Sequence, residues 1–205
     1  VIKSFSTKNS IYYQTTNEGL FEIEGGKGKL ISDNPILKKY TIVNVFTIED
    51  GLLIQTQLDG FYKLIGTTLT PFTTEVDTQI KSSFVYSSQK LHDGSYALGT
   101  VSNGIFILSG SGKLNFHISQ SKGLSNNTAL SLFEDKDQNV WVGLDNGINC
   151  INLQTPVHNF TDDSGVLGTV YASIEHNGML YIGTNQGLFC KKYQGTGNFQ
   201  FINGT

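Results

Sequence analysis

Residues 132–152 read LFEDKDQNVWVGLDNGINCIN, which is three short β-strands joined by two tight turns. Leu132 and Phe133 end the first strand, and Asp135 to Asn139 form a turn. Val140 to Gly143 form the second strand, Asp145-Asn146-Gly147 turn again, and Ile148 to Asn152 form the third. An Asn-Gly pair between apolar, β-prone runs is a hairpin signal. A type I′ turn holds both central residues at φ > 0, and that geometry is predicted for Asn146-Gly147.

The pattern recurs five times, as YYQTTNEGLFEI (12–23), LIQTQLDGFYKL (53–64), YALGTVSNGIFIL (96–108), VWVGLDNGINCI (140–151) and LYIGTNQGLFCK (180–191). The turn glycines Gly19, Gly60, Gly104, Gly147 and Gly187 fall 41, 44, 43 and 40 residues apart. An apolar residue follows each: Leu20, Phe61, Ile105, Ile148 and Leu188. Four short strands per period of this length predict an all-β fold, a β-propeller of five four-stranded antiparallel blades, and a part of a larger array at least as readily as a closed ring. Each blade is a small sheet that needs its neighbours to bury its faces. The blades are expected near 1–40, 41–79, 80–124, 125–166 and 167–205, one repeat region over 1–205.

In chain order, the first strands are expected at Val1 to Ser6, Thr41 to Ile48, Ile80 to Ser87, Ala129 to Glu134 and Val170 to Glu175. Gly25-Gly26-Lys27-Gly28 reads as a flexible connection. Outer strands are expected at Lys29 to Asp33, Thr68 to Thr73, Lys113 to Ile118, Val157 to Thr161 and Phe199 to Asn203. No window shows sustained 3.6-residue periodicity, so almost no helix is expected. Charged residues are only 15% of the chain and the net charge is −3 with no basic stripe, which argues against nucleic acid as a partner. No apolar run is long enough to span a membrane. No signal peptide is visible, but the chain begins at Val1 rather than Met, so Val1 is expected to be a boundary left by processing or excision. Cys150 and Cys190 hold the same position in consecutive blades, about one sheet spacing of 10 Å apart, and are expected as free, buried thiols.

The stretch 123–155, GLSNNTALSLFEDKDQNVWVGLDNGINCINLQT, resembles the two-component-regulator propeller repeat: a Gly-Leu-Ser-Asn lead, a strand ending in Glu-Asp, an aromatic second strand and a Gly-Leu turn. YIGTNQGL (181–188) matches its last part. Blade three matches loosely and blades one and two mainly in hairpin spacing, with Thr15 and Thr56 read as replacing the second-strand glycine seen at Gly99, Gly143 and Gly183, and Leu144 replacing Thr. The resemblance implies the periplasmic sensor region of a bacterial membrane-anchored regulator. A Tyr-rich sandwich domain, a membrane helix and a histidine kinase or DNA-binding output would follow. It implies oligosaccharides or other breakdown products as ligands, and a homodimer formed through the full-length receptor.

The residues themselves offer little catalytic chemistry. Glu49, Glu134 and Glu175 share one repeat position, with Asp50 and Asp135 following two of them. Acids locked to a repeat suit turns better than the unlike pair an acid–base mechanism requires. Asp135 to Asn139 lacks the glycine and distal Glu of a calcium loop. His92, His117, His158 and His176 show no zinc spacing. No serine sits in a nucleophile elbow, and Gly25 to Gly28 lacks the Lys-Ser/Thr of a phosphate loop. No catalytic residue, metal or cofactor is therefore assigned. Trp141, aligned with Tyr13, Ile54, Leu98 and Tyr181, is expected in the core between blades.

Chain topology supplies the binding candidates. Turns between second and third strands share one face with the loops leading into first strands. That face gathers Asn17, Glu18, Asp59, Asn103, Ser125, Asn126, Asn127, Asp145, Asn146, Asn185 and Gln186, amides and carboxylates suited to a small polar ligand such as an oligosaccharide. The competing reading makes them turn formers. At the level of function, a non-catalytic sensor segment stands against a carbohydrate-active propeller enzyme (glycosidase or lyase) and a pure protein-interaction scaffold.

Overall fold

The short β-prone runs become strands, each paired antiparallel with the next in sequence. A computed structural model describes residues 3–154, 165–193 and 198–204. The chain falls into two compact units, Val1–Val157 and His158–Thr205.

In the first unit, blade one consists of β1 (Lys3–Ser6), β2 (Ile11–Thr15), β3 (Gly19–Glu24) and β4 (Lys27–Ser32). Helix α1 (Pro35–Lys39) leads to blade two, β5 (Ile42–Ile48), β6 (Gly51–Thr56), β7 (Gly60–Ile65) and β8 (Thr68–Phe72). Helix α2 (Asp77–Ser83) leads to blade three, β9 (Val85–Lys90), β10 (Tyr96–Thr100), β11 (Ile105–Leu108) and β12 (Leu114–Ile118). A 3-10 turn at Gln120–Lys122 precedes blade four, β13 (Ala129–Glu134), β14 (Asn139–Leu144) and β15 (Ile148–Asn152), a three-stranded sheet among the described residues. The outer strand expected at Val157 to Thr161 lies outside them. So do Val1 and Ile2 of the first strand.

The blades pack in sequence order, first strand beside first strand. Phe5, Tyr12, Leu20, Leu37, Ile42, Val45 and Ile54 join blades one and two. Leu53, Phe61, Ile80, Val85, Leu98 and Phe106 join two and three, and Ala97, Ile105, Ala129, Val140 and Val142 join three and four. Burying one such Leu, Ile or Phe is worth about 2 kcal/mol, more than any single turn contributes, so the seams between blades hold the unit together. One repeat position on the first strand also reaches the next blade's backbone. Lys3 Nζ donates to the Val43 carbonyl, Asn44 Nδ2 to Ser88 and Ser87 Oγ to Ala129.

The second unit is one blade, β16 (Val170–His176), β17 (Met179–Thr184), β18 (Gly187–Lys192) and β19 (Gln200–Phe201). Ile182 and Phe189 are its buried residues, with Phe189 edge-on to Phe201 at 5.2 Å.

Several local expectations change. Ile80 does not open the first strand of blade three. It lies in α2 and β9 begins at Val85, because Thr74 and Asp77 cap a helical turn in which the Ile80 amide bonds the Val76 carbonyl at 2.8 Å. The four-residue connection at Gly25 is a two-residue turn, with Gly25 and Gly26 both at positive φ and the strand resuming at Lys27. The type I′ geometry expected at Asn146-Gly147 is absent, since only Gly147 has positive φ. It occurs instead at Asn177-Gly178, where both residues do, because only there does an Asn-Gly pair form the whole two-residue loop between paired His176 and Met179.

The second-strand alignment slips by one residue. The residues paired with the apolar residue after each turn glycine are Gln14, Gln55, Gly99, Gly143 and Gly183. Gln14 and Gln55, not Thr15 and Thr56, replace the glycine. The slip exchanges the two faces of the sheet. The equivalents of Trp141 become Tyr12, Leu53 and Ala97, all buried against the following blade. Trp141 itself lies on the face of blade four opposite the one packed on blade three and is 42% exposed. Cys150, directly across the ladder from Trp141, is free and exposed rather than buried, while Cys190 is free and half-buried. Ile148, on the same face, is also exposed.

Candidate functional site

The turns between second and third strands are held to the loops leading into first strands by backbone bonds. Gln57 N–H donates to the Thr41 carbonyl, Gly104 to Asn127, Asp145 to Thr128 and, in the second unit, Asn185 to Thr169. The end of the blades predicted to carry the polar candidates therefore exists in each unit. Threonine caps several of these turns: Thr56 Oγ1 donates to the Gly60 carbonyl and accepts from Asp59 N–H, and Thr100 repeats this with Gly104 and Asn103.

Blades three and four bring five candidates into one bonded network. Asn103 Nδ2 donates to Ser83 Oγ at 3.3 Å, and its carbonyl contacts His117 Nε2 at 2.9 Å. Asn127 Oδ1 accepts from Gln120 N–H and Asn126 Oδ1 from Thr128 N–H, while Ser125 N–H donates to Asn149 Oδ1. Asp145 joins through Thr128. The Asn126 and Asn127 carbonyl oxygens are thus committed to shaping the loop. His117, in β12, stacks on Phe106 with ring centroids 4.4 Å apart. His158 lies outside the described residues.

Asp59 stands in a second cluster that sequence reasoning missed. Tyr62 Oη donates to Asp59 Oδ2 at 2.5 Å, and Lys81 of α2 lies 3.8 Å from Oδ1. Burial and then Asp59 push the Tyr62 hydroxyl far above its ordinary range, so it remains a donor at any physiological pH. Only the unrecognised α2 brings Lys81 here. Asn17, Glu18, Asp145 and Asn146 are exposed and, among the described residues, make no side-chain hydrogen bond. Asn17 and Glu18 stand on blade one, apart from the network of blades three and four, and Asn185 and Gln186 belong to the second unit, where Asn185 Oδ1 accepts from Thr169 N–H. The same end of the first unit thus carries exposed amides and carboxylates on blades one and four and a tyrosine–aspartate–lysine group on blade two.

At the opposite end, Glu134 Oε2 accepts from His92 N–H and Glu175 Oε1 from Gly178 N–H. A cavity of about 90 Å³ between blades three and four, lined in part by Leu91, Ile107, Glu134 and Gln138, has room for a few waters and not for a sugar. Asp135 accepts from Trp141 Nε1 at 2.7 Å and from the backbone N–H groups of Asn139 and Asp137. Those bonds, Trp141 first, bring its carboxyl down to about 2. A folded value below the unfolded value of about 3.9 means that this group's contribution to stability is complete above pH ~4 and is lost as pH falls through about 2. Trp141 is the only tryptophan. Its emission should therefore titrate with a midpoint at about pH 2, and the step should be absent in Asp135→Asn.

Residues 123–146 match the model of the two component regulator propeller family. No curated protein matches the chain in sequence. Among solved structures, the extracellular domain of the putative hybrid two component system BT3049 from B. thetaiotaomicron aligns with a TM-score of 0.59 and 17% identity, over 99% of this chain and 28% of that one. The extracellular domain of the putative one component system BT4673 from the same organism gives 0.53 and 15%, over 97% of this chain and 35% of that one. A computationally designed protein, Ika8, gives 0.54 and 12%, over 96% and 59%. At these identities the likeness establishes the fold, and the chain spans about a third of the two extracellular domains.

Proposed function

We propose that this chain is an extracytoplasmic sensor segment of a bacterial signal-transduction regulator. Its blades form part of a larger propeller, and it binds a small polar ligand of the oligosaccharide class without catalysis. One observation carries the reading: the family match at 123–146 spans both the loop bearing Ser125, Asn126 and Asn127 and the turn bearing Asp145 and Asn146. The Asp145 and Asn146 side chains are exposed and make no hydrogen bond among the described residues, as a site awaiting hydroxyl groups would require. The acids at the first-strand ends that a catalytic reading would recruit are spent on backbone amides in Glu134 and Glu175. The periplasm is the expected compartment, and a homodimer would form through the parts of the receptor beyond this segment.

Titration calorimetry of the purified chain against a panel of neutral and acidic oligosaccharides tests this. Asp145→Ala or Asn146→Ala should weaken binding about tenfold, the loss of one hydrogen bond to a charged or polar partner, while leaving melting within roughly 1 °C. Turnover of any glycan that a single acidic substitution abolishes would replace the sensor by an enzyme. Absence of binding across the panel would leave the scaffold reading.

A further inference from the structure

Gln14 and Gln55 occupy the same repeat position, on the face of one blade that packs on the next, yet their surroundings differ. Gln14 Nε2 donates to the Leu37 and Tyr40 carbonyls, both at 2.8 Å, and its Oε1 accepts from Ile42 N–H at 2.8 Å. One amide thereby fastens the whole link from α1 into β5. Gln55 is fully buried between blades two and three, and among the described residues neither its Nε2 nor its Oε1 has a partner. The amide of Val85, which stands where Ile42 stands, is bonded instead to the Gln57 carbonyl at 3.0 Å.

Next to Gln55's unmet need, the link from α2 into β9 is strained. Phe84 closes α2 at φ 55 and ψ 90, a region that costs a residue with a side chain and persists only when its surroundings impose it. Two side-chain tethers hold α2 from the candidate face, Lys81 to Asp59 and Asn103 Nδ2 to Ser83 Oγ, beside the Val101 N–H, which donates to the Ser83 and Phe84 carbonyls. Both Asp59 and Asn103 belong to the polar set proposed for the ligand.

We propose that α2 and the link 83–85 form a two-position latch set by that face, a reading that rests on the sensor function above. In the described position the tethers hold, Phe84 is strained and Gln55 is unpaired. In the other, the last turn of α2 unwinds, Phe84 returns to extended backbone, and the Gln55 amide takes the Val85 N–H and the neighbouring carbonyls as Gln14 takes theirs in blade one. A hydroxylated ligand that engages Asp59 and Asn103 releases both tethers. It shifts the latch because it binds better where those side chains are free.

Hydrogen–deuterium exchange of the full 205-residue chain, read by mass spectrometry without any ligand, tests the latch. The pair Asp59→Ala and Asn103→Ala should raise exchange across residues 77–85 about tenfold while residues 35–42 stay unchanged. Adding Gln55→Leu should cancel most of that rise, because the second position then gains nothing, and Phe84→Gly in the wild-type background should slow exchange in the same segment. Gln55→Met serves in place of Gln55→Leu if circular dichroism shows the latter unfolded. No rise on removing the tethers, or a rise that persists undiminished with Gln55 replaced, overturns the latch. Since no glycan enters the measurement, a chain that binds no sugar can still show this coupling, and a sugar-binding chain can still lack it.

Discussion

Gly104→Val should lower the melting temperature by roughly 10 °C, whereas Gly147→Val should lower it by about 3 °C. Both glycines close the turn between second and third strands, and both sit at positive φ, +67 and +95. That conformation alone costs a residue with a β-carbon about 1 kcal/mol. At Gly147 nothing lies within 4 Å of an added Cβ, so strain is the whole effect. At Gly104 the same atom would run into the Ile118 carbonyl oxygen and stand 2.9 Å from Ser119 Cα, and both obstacles are backbone at the end of β12. The turn cannot swing away, because Gly104 N–H donates to Asn127 and the Gly104 carbonyl accepts from both Thr100 N–H and Thr100 Oγ1. The clash adds about 2 kcal/mol or more, the usual cost of forcing atoms into filled space. Thermal unfolding followed by circular dichroism decides the matter. Equal losses at the two sites would mean that β12 does not pack where it is described.

The two glycines also show what could be read without coordinates. The period and the hairpins were legible because φ > 0 turns select Gly so strongly that five of them mark the register. The position of the second strand relative to the turn was not. Counting back from the glycine finds Gly143 and Gly183 four residues away, but Gly99, Gln55 and Gln14 five away. The loops of blades one to three are longer, capped in blades two and three by Thr56 and Thr100; Thr15 and Thr56 took the glycine's place in the reading of blades one and two, and a slip of one exchanged buried and exposed faces. It hid the pairing of Gln14 with Gln55. The helices were too short for periodicity to register. Yet Asn34-Pro35 and the Thr74 to Asp77 spacing are cap signals, and they would have placed Lys81 beside Asp59. For the binding candidates, topology correctly grouped the second-to-third-strand turns with the loops leading into first strands. It could not tell Asn126 and Asn127, spent on shaping their loop, from Asp145 and Asn146, which are free.

The corrected register yields substitutions of opposite sign at one repeat position. Gln14→Leu keeps the side chain's bulk but strands the Leu37 and Tyr40 carbonyls and the Ile42 N–H at the seam between blades one and two. Leu37 and Ile42 are fully buried, so water cannot replace the lost partners there. At about 1–3 kcal/mol for each buried group left unpaired, the loss should be about 3 kcal/mol or more, enough to threaten folding of the first unit. Gln55→Leu removes an amide whose two polar atoms have no partner and replaces it with apolar volume beside Leu53 and Phe61, so it should raise stability by about 1 kcal/mol. Urea unfolding with unchanged slopes and midpoints moving in opposite directions is the expected result. If Gln55→Leu destabilised the chain as Gln14→Leu does, Gln55 would be a bonded latch in the ground state, and the strain at Phe84 would have no release to drive.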